Sequence, residues 1–213
     1  MNLLNMSTQG GWLMIPILFC SIIAAYVIVE RFLVIRKSRS NTRQLMMKIK
    51  SLILKERRDE AITLTNETPG PAAKVLKQGL IRANRSKEEI KDAIESAGRE
   101  EIFFLERNLG YLATIAGVAP LIGFLGTVWG MMEAFMEIQN LEGNVNAAVL
   151  AGGIWQALIT TAAGLAVGIV TFIFYNILTS KVQRFVFEIE SSSNELVELL
   201  TEDNYQEHSF REI

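Results

Sequence analysis

Three polar side chains lie where charge is missing altogether: Thr127, Gln156 and Thr161. Each lies inside a long apolar run that contains no Asp, Lys, Arg or His. A hydroxyl donates one hydrogen bond and accepts two, and an amide does both, but neither releases a proton near neutral pH. These groups can order water or bond a carboxyl on another helix. They cannot relay a proton by titrating, so a titrating group in any proton path has to come from a partner. The acids flanking the apolar runs, Glu30, Glu133, Glu137 and Glu142, all fall at their ends. Glu30 stands beside Arg31, where a structural ion pair is expected.

The neighbours of these residues are small. "GVAPLIGFLGTVWGMM" (117–132) carries Pro120, Gly123, Gly126 and Gly130 around Thr127, and "GLAVG" (164–168) follows Thr161 with Gly164 and Gly168. At about 100° per residue, Ala116, Pro120, Gly123 and Ala134 fall on the side of Thr127. Ala157, Gly164, Gly168, Thr171 and Tyr175 fall on the side of Thr161. Gly126–Gly130 and Gly164–Gly168 are GxxxG spacings, which let helix backbones approach closely in a membrane. Each stripe therefore predicts a helix-packing surface with a hydroxyl in it.

The elements that hold these stripes can be read from the distribution of charge. Half of the 213 residues are hydrophobic, and they gather in three uncharged blocks, at 11–29, 108–132 and 143–180. Each is long enough for a helix across about 30 Å of hydrocarbon. Of 21 Lys and Arg, 17 lie between Arg36 and Arg107, and Lys181, Arg184 and Arg211 follow the third block. Basic flanks collect on the cytoplasmic side. The expectation is an all-α membrane protein with three transmembrane helices and its N-terminus outside. Its parts are the outer N-terminus and first span (1–35), a cytoplasmic helical region (36–107), the second span (108–136), an outer loop (137–153), the third span (154–180) and a cytoplasmic tail (181–213).

Between the spans, residues 36–67 read as one amphipathic helix through Leu45, Ile49, Leu52 and Ile53. "TPGPA" (68–72) breaks it, and a short helix is expected over 72–83. Ser86 with Glu89 reads as a capping box, opening a helix with no strong breaker before Pro120. Run unbroken to Glu137, it would be about 75 Å long and extend helix two into the cytoplasm. Helix three is expected to continue likewise to Leu200, with the last dozen residues loose.

Other functions find little support. Cys20 is the one cysteine and His208 the one histidine, so no metal cluster, and no cofactor, is expected. A nucleophile–base pair and a phosphate loop are both missing, so the chain does not read as an enzyme. Its basic segment is interleaved with 11 acids and the net charge is −2, which argues against nucleic-acid binding.

"APLIGFLGTVWGMMEAF" (119–135) and "GIWQALITTAAGLAVGI" with Tyr175–Asn176 (153–176) resemble the two signature helices of the MotA/TolQ/ExbB proton-channel family. Three spans, and Glu30–Arg31 after the first, are similar to the ExbB and TolQ branch; the MotA branch has four. The resemblance implies a bacterial inner-membrane homo-oligomer, five subunits in the family, around single-span ExbD- or TolR-like partners whose membrane helix carries an aspartate. A TonB- or TolA-like protein would carry the work, driven by the proton motive force, to the outer membrane. The family's pore-facing threonines fall on Thr127 and Thr161. Gln156 stands where the branch commonly has a glutamate, so a titrating role is not carried over. The alternative is a structural scaffold whose stripes only hold an oligomer together.

The topology is tested by labelling. In a Cys20→Ser background, a cysteine at Ser7 should react with an impermeant thiol reagent in intact cells, and one at Ser40 should not; the opposite pattern would invert the orientation.

Overall fold

The computed structural model describes residues 10–38, 41–140 and 147–211, with side chains placed through 139 and again from 150 to 201. Residues 1–9 and 141–146 of the two expected outer segments, Glu142 among them, lie outside the described residues, and so does the His208 side chain. Among the described residues there is no strand. Among the described residues seven helices follow one another: α1 (Met14–Lys37), α2 (Thr42–Ile53), α3 (Arg58–Glu67), α4 (Pro71–Ile81), α5 (Lys87–Glu106), α6 (Leu109–Asn140) and α7 (Ala147–Arg211). Three long stretches, containing α1, α6 and α7, are apolar enough to cross a membrane. The protein is all-α, as its sequence predicts.

The local signals between the spans explain where the shorter helices start and stop. Asn41 Oδ1 accepts from the Gln44 amide at 3.1 Å and opens α2. Gly70, at φ +120°, admits Pro71 as the first residue of α4, a position where a missing N–H costs nothing. Ser86 Oγ accepts from the Glu89 amide at 3.3 Å and caps α5.

Two expected helices are broken. The single helix over 36–67 is interrupted after Ile53, where Glu56 turns to φ +58° and the Arg57 amide donates back to Leu52 O at 2.9 Å. The unbroken helix from Ser86 to Glu137 ends at Glu106. Arg107 is extended (ψ 138°) and Asn108 sits at φ +65°, a left-handed conformation that asparagine tolerates better than most residues. The third long helix runs on past Leu200 to Arg211.

The chain divides into two compact units, Met1–Glu30 with Asn108–Ile177, and Arg31–Arg107 with Leu178–Ile213. The second has a core of its own. Ile49 and Ile53 of α2, Val75 and Leu76 of α4, Ile90 and Ile94 of α5 and Leu196 and Leu200 of α7 are buried together. The side chains of α2, α5 and α7 recur at four-residue spacing, and on α4 Ala72, Val75, Leu76 and Leu80 share one face, as an amphipathic helix requires. Gly79 is the tight point, because a methyl group there would lie 2.7 Å from Ile94 Cδ1.

The first unit holds the candidate residues. On α6 the buried positions are Leu109, Leu112, Ile115, Ala119, Gly123, Gly126, Gly130 and Ala134, and on the part of α7 in this unit they are Ala157, Ile159, Thr160, Gly164, Gly168 and Thr171. The other faces expose Leu121, Phe124, Leu125, Phe135, Ile169 and Phe172. A soluble surface does not carry an apolar patch of that extent.

The core of the second unit sets its stability. Leu76→Ala, at a side chain 1% exposed, should destabilise the detergent-solubilised protein by about 2–5 kcal/mol, read from the denaturant midpoint. A smaller change would mean that the site collapses around the cavity.

Candidate functional site

The site is built on the contact between α6 and α7, and glycines determine how close it is. A methyl group on Gly164 would lie 2.5 Å from Ala119 O and 2.9 Å from Gly123 Cα. One on Gly123 would lie 3.1 Å from both Thr160 O and Thr161 Cα. One on Gly130 would meet Ala157 Cβ at 3.1 Å, and one on Gly126 would collide with the Thr160 methyl. Gly168 faces the ring of Pro120, and a methyl there would also lie 3.2 Å from Ala116 O. Proline has no N–H, so Pro120 leaves the carbonyl four residues back, Ala116, without its helical donor. Gly168 lets the neighbouring helix close over that carbonyl. In hydrocarbon such contacts replace the water that would otherwise solvate the backbone. All six candidate packing residues, Pro120, Gly123, Gly126, Gly130, Gly164 and Gly168, thus lie between two helices of one chain.

The two candidate threonines stand at the edge of this contact. Both are half-buried, while the residues beside them, Gly126 and Thr160, are buried. Thr161 Oγ1 donates across to Gly123 O at 2.7 Å. Thr127 Oγ1 donates within its own helix to Phe124 O at 2.6 Å. In helical register the Thr127 amide also bonds Gly123 O, so one carbonyl links the two threonines. With each proton given to the backbone, each hydroxyl oxygen presents lone pairs to its surroundings.

Gln156 points elsewhere. Five residues from Thr161, it is turned about 140° away around the helix. It faces the N-terminal turn, where a methyl group on Gly11 would lie 2.5 Å from Gln156 Nε2. The structure therefore does not bring Gln156 together with Thr161. The residue that shares its face is Thr160, 1% exposed, whose hydroxyl donates to Gly10 O at 2.8 Å and to Gln156 O at 3.0 Å. Helical periodicity does not single out Thr160, which lies one residue, about 100°, around the helix from Thr161. Its partner is 150 residues away, beyond the reach of periodicity.

Glu30 and Arg31 each hydrogen-bond a residue distant in sequence. In the first unit, Glu30 Oε2 accepts from Asn108 Nδ2 at 3.0 Å. In the second, Arg31 is 2% exposed and donates from Nη1 to Phe104 O at 3.0 Å. Phe104 is in the last turn of α5, whose carbonyls lack helical donors, and α5 has no basic residue of its own there. The buried guanidinium supplies the positive charge that the end of a helix favours.

Residues 67–191 match the family model described as the MotA/TolQ/ExbB proton channel family. The chain is 32% identical over 190 residues to a putative biopolymer transport protein ExbB homolog of Methanothermobacter thermautotrophicus, covering 89% of this chain and 67% of that protein. It is 42% identical over 90 residues to the Tol-Pal system protein TolQ of Haemophilus influenzae, covering 42% of this chain and 39% of that one. Among solved structures, C. jejuni MotAB aligns with a TM-score of 0.65 over 92% of this chain and 78% of that chain, at 20% identity. That last likeness is one of fold.

The glycine contact is tested by a matched pair of substitutions. Gly164→Ala drives a methyl into backbone that cannot give way, and should cost about 1–3 kcal/mol and lower the yield of folded protein by size-exclusion chromatography. Gly117→Ala, with nothing within 4 Å, should leave the yield unchanged. Equal behaviour of the two would remove the contact from the account.

Proposed function

Since the chain belongs to the MotA/TolQ/ExbB proton channel family, on its ExbB/TolQ branch, we propose that it is a subunit of an inner-membrane motor that couples the proton motive force to work at the outer membrane. In this reading it spans the membrane three times with its N-terminus outside and forms a homo-oligomer, five subunits in the family. The oligomer surrounds an ExbD- or TolR-like single-span partner that carries an aspartate, and a TonB- or TolA-like protein transmits the work. The chain's own residues transfer no group and break no bond.

One observation carries the reading. Thr127 and Thr161 lie at the margin of a close-packed helix pair, with their protons committed to Phe124 O and Gly123 O. Such hydroxyls have a clear preference between the two states of a carboxyl. A protonated carboxyl donates to their lone pairs and costs them nothing. An ionised carboxylate can only accept, so it is served only if a hydroxyl swings its proton away from the backbone. That exchange gives up a neutral hydrogen bond, worth about 1 kcal/mol, for a charge-assisted one, worth about 1.5–3 kcal/mol, and the gain does not offset the larger cost of holding a charge among apolar side chains. The protonated partner helix is therefore held at this margin and the ionised one is released. A charge crossing 100 mV supplies about 2.3 kcal/mol, enough to drive such an exchange in one direction. Gln156, on another face and without a titrating proton, stays outside this cycle.

Thr161→Val tests the reading. It keeps the shape and removes the hydroxyl, while Gly123 O keeps its helical donor. The complex with the partner should assemble at wild-type levels, and proton-driven transport should fall about five- to tenfold. Gln156→Leu should lower it less. Full transport by an assembled Thr161→Val complex would leave the threonine a packing residue and favour the scaffold.

A further inference from the structure

Outside the residues already assigned to the proton path, one buried side chain joins two helices and the turn that leads into α1. Thr160 is 1% exposed. Its methyl packs on Gly126 of α6, where any side chain larger than glycine would collide with it. Its hydroxyl belongs to α7 and shares its proton between Gln156 O of the same helix, at 3.0 Å, and Gly10 O, at 2.8 Å. Gly10 lies in the turn that leads into α1. The amide of Met14, which would bond Gly10 O if the helix began there, donates instead to Gly11 O at 3.2 Å. The Thr160 hydroxyl thus meets a carbonyl that lies just outside helical register, and it does so away from solvent.

The turn is shaped for this contact. Gly11 has φ +70°, which glycine adopts without strain and other L-residues rarely do. It leaves no room for a side chain beside the Gln156 amide. The next residue, Trp12, stands edge-on to Trp129 of α6, with ring centroids 5.7 Å apart and planes at 85°. Trp129 Nε1 in turn donates to Glu133 Oε1 at 2.7 Å. The N-terminal turn is therefore held by α7 through a hydroxyl and by α6 through an aromatic pair.

We propose that Thr160 is a positioning residue: its hydroxyl pins the Gly10–Gly11 turn to α7, and the pin fixes the rotation of α7 that aims the adjacent Thr161 at Gly123 and the margin beyond it. Neighbouring residues on a helix point about 100° apart. A rotation that releases Thr160 from Gly10 also carries Thr161 off Gly123 O. The proposal rests on the channel reading for the task of Thr161, but the pin itself can be measured separately.

The experiment uses the full-length chain with its partner and a Trp155→Phe background, so that the Trp12–Trp129 pair supplies the exciton signal in circular dichroism. Thr160→Val keeps the methyl on Gly126 and removes the hydroxyl; Thr160→Ser does the reverse. Thr160→Val should weaken the exciton couplet and lower proton-driven transport about fivefold, the factor that one net hydrogen bond represents. Thr160→Ser should restore both. Gly11→Ala, which leaves Thr160 intact but disturbs the turn, should reproduce the valine pattern. The proposal is overturned if Thr160→Val keeps both signals, if Thr160→Ser falls as far as Thr160→Val, or if the couplet is lost while transport stays at the wild-type rate. A silent Thr161→Val counts against the channel reading instead, because the couplet reports the pin whatever the transport rate.

Discussion

The contact between Gly164 and the backbone of α6 is the constraint on which the apolar unit depends. Ala119 O and Gly123 Cα lie so close to Gly164 that a single added carbon has no place. Apolar side chains gain little by leaving lipid for one another, so helices in hydrocarbon associate through close packing and polar contacts between backbones. The glycines supply the packing. They also bring the carbonyls of one helix within reach of hydroxyls on the other, which is why Thr161 reaches Gly123 O. Without the glycine approach, that hydroxyl would fall back on its own helix, as Thr171 does with Val167 O at 2.7 Å.

The same geometry gives the three threonines different tasks. Thr171 stabilises only its own turn. Thr160 faces inward and spends its proton on Gly10 and Gln156. Thr161, one residue on, stands at the edge with its proton fixed and its lone pairs outward. A difference of about 100° around one helix separates an internal pin from a half-buried acceptor at the margin. Residue type alone does not distinguish them.

How far the sequence reveals this follows from the range of each interaction. The three apolar helices are legible because a charge-free run of that length has few other uses. The stop at Glu67, the start at Pro71 and the Ser86 cap are legible because proline, glycine and a capping serine act over a few residues. The breaks at Glu56 and at Arg107–Asn108 are not. Neither stretch holds glycine or proline, and Asn108 adopts its left-handed turn while its side-chain amide is bonded to Glu30, 78 residues away. The small-residue stripes are visible as periodicity, but their centre is not: helical spacing groups them around Thr127, while the packed line runs through Gly123, Gly126 and Gly130. The Thr160–Gly10 contact leaves no periodic trace, since it joins a helix to a turn 150 positions earlier.

A helix pair locked backbone to backbone is a poor moving part. Shifting α6 along α7 would drive carbonyls and α-carbons into one another at Gly123, Gly153 and Gly164 together, and densely packed interfaces move between discrete arrangements rather than deforming smoothly. On the proposed reading, the pair is therefore the stationary element. Motion belongs to whatever slides past the margin where Thr127 and Thr161 stand. The absence of Asp, Lys, Arg and His from the apolar runs fits the same division. A titrating group buried within the fixed pair would change charge in place and strain its own packing. Carried on the moving helix, it enters a site that favours its protonated form and leaves when ionised. The fixed pair needs only hydroxyls whose protons are already held.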